Sequence, residues 1–291
     1  MTSPFLGSTS GRTRQQLRNN RYERQSRDLY VLRDHALDLR TRVEAAQLVV
    51  PDGVPCLWTS ADLLKLPVDA DGVVHLARGD KAVQSTRAGI DVHRLTIGAD
   101  EKIDLKGLLV ADGPRTFVDL GAYLDLEALV ALGDVVLKRW GPDPVANAVA
   151  RANGRPGVAR LRQALPLLDP DSDSPAETRA RLRLHAAGFS RLKHKVVVRD
   201  IGGGWLGVPD LADEVAKVAL QHEGAVHFEK GAKQRRKDVA RDEVVRMEHW
   251  QVVISTALDD ARPEHLVAKM TSAYRRAAHL WGPHVLPPHL R

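Results

Sequence analysis

The chain has 291 residues, of which 43% are hydrophobic and 27% charged, a balance that excludes global disorder. Aromatic residues make up only 4%, so the core must rest on Leu, Val and Ala. Lys and Arg number 43 against 37 Asp and Glu, and the net charge of +6 permits a nucleic-acid partner without demanding one.

Cys56 is the single cysteine, which excludes an intrachain disulfide and fits a reducing, cytoplasmic setting. Its neighbours Val54, Leu57 and Trp58 mark it as a small buried hydrophobe rather than a reactive thiol. The N-terminal residues contain no apolar h-region, so no signal peptide is expected. No apolar run reaches membrane-spanning length, so no membrane association is expected.

Residues 1–16 read as a flexible tail rich in Ser, Thr, Gly, Gln and Arg. A mixed α+β unit is expected over 17–167. It opens with strand-like residues 21–32, which carry Tyr22 and Tyr30, and continues with a helix over 36–50 whose inner face is Leu37, Val43, Ala46 and Val50. Asp52-Gly53 is a turn signal, and short alternating stretches follow at 73–76 and 92–97. Two helical patterns come next, at 114–132 (Phe117, Leu120, Tyr123, Leu124) and at 133–140. The acidic stretch around 168–174, flanked and interrupted by Pro175 and Pro170, reads as a linker.

From 175 to 291 the order α-β-β-β-α-β with a closing helix is expected, so the chain as a whole falls in the α/β (α+β) class. The opening helix, 175–187, has Ser174 as N-cap, Pro175 at its first position, Glu177 where a capping box places its acid, and Gly188 at its end. Strands are expected at 195–199, 206–211 and 217–223, with Gly202-Gly203-Gly204 turning between the first two and Asp213-Glu214 in the second turn. A basic helix over 233–248, a strand over 251–255 and a helix over 263–280 complete the unit.

Three acidic residues of this second unit can converge. If Asp210 pairs with Gln221, the hairpin centres between Val215 and Ala216, and directly opposed residues share a face. Gln221 and Glu223 then lie on that face by the period of two along a strand. Glu177 lies on the helical stripe Glu177, Ala180, Leu184, Ala187, which would pack inward. Carboxylates at 177, 210 and 223 would offer hard oxygen ligands to Mg2+, or to Mn2+ in its place. Each residue also has a plainer reading: Glu177 as a capping residue, Asp210 as a turn residue, and Gln221, His222 and Glu223 as an exposed strand end.

This order of residues resembles the PD-(D/E)XK nucleases, in particular the small endonucleases related to very-short-patch-repair enzymes, over about 172–277. Ser174-Pro175-Ala176-Glu177-Thr178-Arg179 is similar to the family's opening helix, and Pro209-Asp210-Leu211-Ala212 to its first metal-binding aspartate. The run from Val218 to His227 aligns with the strand where the family usually has Glu, any residue, Asp, Gly, two residues and His. Asp238 and Arg241-Asp242 match its Arg/Asp-rich helix, and Trp250-Gln251-Val252-Val253 the strand after it. The resemblance implies a metal-dependent DNA endonuclease with Asp210, Glu223 and Glu177 on the metal, Gln221 at the remaining position and His227 assisting. The departures are central: Gln221 stands where the family has Glu, and Glu223 where it has Asp. An amide can lend an oxygen to a cation, but it brings no charge and cannot act as a base. The alternative is therefore a non-catalytic DNA-binding or regulatory protein that keeps the nuclease fold.

In the first unit, Leu29-Tyr30-Val31, the helix after it and the run from Val110 to Leu120 resemble the antitoxins of type IV, abortive-infection toxin–antitoxin systems. The tract 153–162 fits the same architecture. That resemblance implies a partner protein in a defence or toxin–antitoxin locus. Only residues 12–31 remain where the family carries a winged helix-turn-helix, so operator reading by a recognition helix is not expected.

His222-Glu223 and His227 do not make a zinc-protease motif, because the histidines are one residue too far apart and sit at a strand end. The triple glycine lacks the Lys-Ser/Thr of a phosphate-binding loop. Lys233, Arg235, Arg236, Lys237 and Arg241 have two readings, a solvated helix face or contacts to DNA phosphates. Trp205 and Trp250 are expected as core anchors.

Overall fold

The computed structural model describes residues 4–33, 38–79, 87–200, 202–223 and 249–291, with Gln25, Ser26 and Glu223 described by backbone alone. The chain is of the mixed α and β class. It divides into two compact units, one holding the residues up to Asp125 with Arg139–Leu165, the other Leu126–Lys138 with Pro166–Arg291. Among the described residues no helix is long and apolar enough to cross a membrane.

The first unit opens with strand β1 (Phe5–Leu6), a single helical turn α1 (Arg14–Leu17) and strands β2 (Tyr22–Ser26) and β3 (Leu29–Leu32), in the sheet order β1-β3-β2. The sequence reading of 1–16 as a flexible tail is corrected for its described part. Phe5 packs edge-on against Tyr22 with centroids 5.4 Å apart and stacks on Tyr30 at 6.0 Å, while the Arg12 guanidinium lies 4.5 Å from the Phe5 ring centre. One aromatic and one cation are enough to seat the segment.

Helix α2 (Leu39–Val49) starts later than expected because the Asp38 side chain accepts from the Thr41 N–H and caps it there. Val43 and Ala46 are buried as expected, and Leu37 lies outside the described residues. Strand β4 (Val54–Pro55), helix α3 (Leu57–Leu63) and strands β5 (Val74–Ala77) and β6 (Ile90–His93) follow, with β4-β5 antiparallel and β5-β6 parallel. Cys56 is fully buried, and burial pushes its thiol well up from the ordinary value. Strands β7 (Lys102–Leu105) and β8 (Leu108–Ala111) form a hairpin that leads into helix α4 (Gly113–Leu120).

The helix expected over 114–132 is two helices, α4 and α5 (Leu126–Trp140), and α5 runs through Gly133 without a break. Helices α6 (Pro142–Arg151) and α7 (Val158–Ala164) follow. The break between α4 and α5 is set by packing. Gly157, at φ 83°, approaches so closely that a Cβ there would meet the Ala122 nitrogen at 2.4 Å, and Gly121 is similarly tight against Leu161. Only glycine tolerates both the positive φ and the contact. Within this unit Arg115 is almost fully buried, its guanidinium donating to Asp119 at 2.8 Å and to the Thr96 carbonyl at 2.8 Å and pairing with Glu101.

The second unit is built on helix α8 (Pro175–Ala186), the hairpin β9 (Val198–Arg199) and β10 (Trp205–Gly207), and a sheet of β11 (Leu211–Asp213), β12 (Val218–Glu223) and β13 (Gln251–Thr256) in that order. Helices α9 (Ala257–Ala261) and α10 (Pro263–Trp281) close it. One face of the three-stranded sheet, with Leu211, Val218, Leu220 and Val253, packs on Ala180 and Leu184 of α8 and on Leu266, Met270 and Tyr274 of α10. Each fully buried leucine there contributes about 1.5–3 kcal/mol. The other face, with Ala212 and Ala219, meets Val198, Leu206 and Trp250.

Three expectations change here. The stretch 168–174 is packed rather than a free linker: the Asp169 N–H donates to Asp134 at 2.7 Å, and the buried Ser172 hydroxyl bonds Thr178 at 2.8 Å. The strand expected over 206–211 is split into β10 and β11, because Pro209 has no N–H to give a ladder. Trp205 is not a core anchor but 61% exposed, since in its two-stranded hairpin the alternation turns Leu206 inward instead; Trp250 is buried. The basic helix expected over 233–248 lies outside the described residues.

Candidate functional site

The hairpin of β11 and β12 sets the geometry. Leu211 faces Leu220, Ala212 faces Ala219 and Asp213 faces Val218, so the turn centres between Val215 and Ala216. One step further along that register Asp210 faces Gln221, and the Gln221 amide donates to Asp210 Oδ1 at 3.0 Å. The backbone N–H of His222 donates to the other oxygen, Oδ2. Gln221 lies on the Ala219 face of the sheet, away from the α8 and α10 core, and the backbone of Glu223 follows two residues on, opposite Thr256 of β13.

Glu177 comes to this end of the sheet from the first turn of α8. The Ser174 hydroxyl accepts from the Glu177 N–H at 3.2 Å and donates to Glu177 Oε1 at 3.0 Å, and the Asp173 N–H donates to Oε2 at 3.0 Å. The carboxylate is largely buried, with 13% of the side chain exposed. Burial raises its pKa above the ordinary glutamate value, and the negative charge of Asp210 raises it further, against the bonds from Asp173 and Ser174. The two carboxylates therefore sense each other across the site.

His194 is the residue that sequence reasoning missed. Its Nδ1–H donates to the Asp210 carbonyl at 2.7 Å, and the same ring lies 4.0 Å from Glu177 Oε2. Burial holds its pKa below the ordinary histidine value, so the ring is neutral at pH 7. It thus holds the backbone of Asp210 close to the first turn of the Glu177 helix. No pattern of sequence spacing marks it, since it precedes β9 and reaches the site only through the tertiary fold. Its neighbour in the chain, Lys193, bridges to Ala212 and fixes its position.

Asp210, Gln221 and Glu177 are thus brought to one end of one sheet. Among the described side chains they do not form, with a third acidic or imidazole group, a cluster closed to within 4.8 Å. The Glu223 side chain, His227, Lys233, Arg235, Arg236, Lys237 and Arg241 lie outside the described residues. His222, by contrast, faces away from Asp210 and shares a bond of 3.1 Å with Ser255. Two carboxylates, joined by the Gln221 oxygen only if the amide is turned over, are hard donors of the type that suits Mg2+ or Mn2+.

A second cluster, in the first unit, has no counterpart in the sequence reading. His75, Asp91 and His93 bring ligand-type atoms within 4.8 Å of one another. The pattern Asp-Val-His along β6 puts Asp91 and His93 on one strand face, but the partner His75 lies on a different strand and only the parallel register brings it alongside.

No family model matches the chain. Two proteins of Mycobacterium tuberculosis are similar to it: the uncharacterized protein MT2308 of strain CDC 1551 / Oshkosh and the uncharacterized protein Rv2248 of strain ATCC 25618 / H37Rv. Each is 25% identical over 228 residues, covering 77% of this chain and 82% of the relative.

Proposed function

We propose that the second unit is a cation-dependent DNA phosphodiester hydrolase with a weakened cation site. The observation that carries this reading is the pairing of Asp210 with Gln221 at the mouth of the β11-β12 hairpin, with the raised carboxylate of Glu177 in electrostatic reach. Asp210, Glu177 and Glu223 would hold the ion, and the Gln221 amide, turned over, would lend its carbonyl oxygen. When bound, Mg2+ or Mn2+ supplies positive charge to a phosphodiester approaching its transition state. The chain's own residues provide the setting. His194 fixes the Asp210 backbone, Ser174 and the Asp173 N–H orient Glu177, and Gln221 contributes no charge. Burial and the mutual repulsion of the carboxylates raise the pKa of Glu177, and a bound cation would act against that shift. His227 would assist, and Lys233, Arg235, Arg236, Lys237 and Arg241 would meet phosphate; the net charge of +6 suits that partner, and the single cysteine fits a cytoplasmic setting.

A second reading has its own observation. Each oxygen of Asp210 already accepts a hydrogen bond, from the Gln221 amide and the His222 N–H, so the carboxylate is held in place without a cation. That favours a non-catalytic DNA-binding or regulatory protein, working with a partner protein of a defence or toxin–antitoxin locus. The experiment is incubation of the chain with supercoiled, linear and mismatched DNA in Mg2+, Mn2+ or EDTA, read by gel and by band shift. Cation-dependent cleavage supports the first reading, binding without cleavage supports the second, and neither cleavage nor binding contradicts both.

A further inference from the structure

The cluster in the first unit rests on strand register. Strands β5 and β6 are parallel, with His75 opposite Asp91 and Ala77 opposite His93. Opposed residues share a face, and so do residues two apart, so His75, Asp91 and His93 all project to one side. The small Ala77 beside His93 leaves the imidazole free to lean toward His75, and the two rings stack with centroids 5.1 Å apart. Trp58 closes the other side of His75 at 5.1 Å.

Hydrogen bonding fixes which ring nitrogen is offered. Asp71 Oδ2 lies 2.8 Å from His75 Nε2, and a carboxylate only accepts, so Nε2 carries the proton and Nδ1 is bare. The Asp71 carboxylate is itself held, its Oδ1 accepting from the Val73 N–H at 3.0 Å. The bare Nδ1 faces His93 Nε2 at 2.9 Å, and His93 Nε2 is 3.6 Å from Asp91 Oδ2. Ligand atoms about 2.0–2.1 Å from a tetrahedral ion stand about 3.3 Å from each other, so these separations need only small side-chain rotations to surround one. His75 is buried with 5% of its side chain exposed, whereas Asp91 is 48% exposed and leaves an entry path and a fourth position open to water.

We propose that His75 Nδ1, His93 Nε2 and an Asp91 carboxylate oxygen form a three-ligand site for a divalent transition metal of the Zn2+ class, with Asp71 orienting His75 from outside. Imidazole nitrogens select such ions over Mg2+. A carboxylate on the far nitrogen of a ligating histidine is the arrangement that fixes the tautomer and raises ligand basicity. Binding needs one proton to move within His93, from Nε2, where it bridges to His75 in the metal-free chain, to Nδ1. The site is independent of the carboxylates at 177 and 210, and its chemistry does not rest on the function proposed for them.

The test uses the full chain stripped with chelator and titrated with Zn2+ by calorimetry and with Co2+ by visible absorption, which reports coordination geometry. The proposal expects one equivalent of Zn2+ bound, undisturbed by excess Mg2+, and a Co2+ spectrum of low coordination number. His93→Ala and Asp91→Asn, at the more accessible positions, should each weaken binding by at least about tenfold. Asp71→Asn should weaken it by about 10–100-fold without removing a ligand, whereas Asp210→Ala should leave it unchanged. Circular dichroism keeps loss of binding distinct from loss of fold. A folded wild-type chain that binds no Zn2+, or binding that survives both His93→Ala and Asp91→Asn, would overturn the site and leave the cluster a hydrogen-bonded pair of histidines.

Discussion

Asp134, almost fully buried, joins three segments of the second unit. Its oxygens accept from the Asp169 N–H at 2.7 Å, the Thr178 hydroxyl at 2.7 Å and the Arg181 guanidinium at 3.2 Å. Burial nevertheless raises its pKa above the ordinary 3.8. The folded chain therefore holds this proton to higher pH than the unfolded chain. Stability from Asp134 is full below the ordinary value and falls as pH rises through the raised one. Asp134→Asn cannot titrate, so the difference in unfolding free energy between wild type and variant, measured by denaturant at a series of pH values, should fall over that window and then level. Superposed on that change, the variant should be less stable by about 1–3 kcal/mol at every pH, because an amide cannot accept at both positions where the Asp169 N–H, Thr178 and Arg181 donate. A pH-independent difference would contradict the account. Neither Asp134 nor His194 is legible in the sequence, because each matters only through partners far along the chain, and an acid within a helix or a histidine in a connecting segment looks the same whether buried or exposed.

At the scale of elements, legibility follows the strength of local signals. Helix α8 is readable because Ser174, Pro175 and Gly188 mark its ends chemically, and Gly188 sits at φ 94° past the last turn. The β11-β12 register is readable because period two and a turn without strand character leave few alternatives, and it places Asp210 against Gln221. What is not readable is set by packing. The break between α4 and α5 depends on Gly157 approaching Ala122, and the seating of residues 5–6 depends on Tyr22 and Tyr30. Trp205 departs from its expected core role because size and apolarity alone do not reveal which way a two-stranded hairpin alternates. Ser174 serves both the helix and the site, which makes it testable at this scale. Ser174→Ala removes the cap and should cost about 0.5–2 kcal/mol in thermal or denaturant unfolding. It also frees Glu177 Oε1 of a donor, so the loss should exceed that of an exposed control such as Gln15→Ala; equal losses would show that the cap carries nothing.

For the whole molecule the question is whether the positive charge and the carboxylate end of the second sheet act together on DNA. Replacing Lys233, Arg235, Arg236 and Lys237 with Ala should weaken duplex binding and flatten its salt dependence, the logarithmic slope changing by about 0.9 for each phosphate no longer neutralised. An unchanged slope would return those residues to a solvated face. The carboxylate end makes the sharper claim. Gln221 occupies a position where a carboxylate would add a negative charge to the partly buried cation site proposed above, and an added anionic ligand strengthens cation binding most where water is excluded. The most direct measurement is Mg2+-dependent cleavage of supercoiled DNA by wild type, Gln221→Glu, and Gln221→Glu combined with Asp210→Ala. The account predicts that Gln221→Glu raises cleavage at least about tenfold and lowers the Mg2+ concentration required, and that adding Asp210→Ala abolishes the gain. Cleavage no faster in Gln221→Glu than in wild type, or a gain that survives the loss of Asp210, would contradict it.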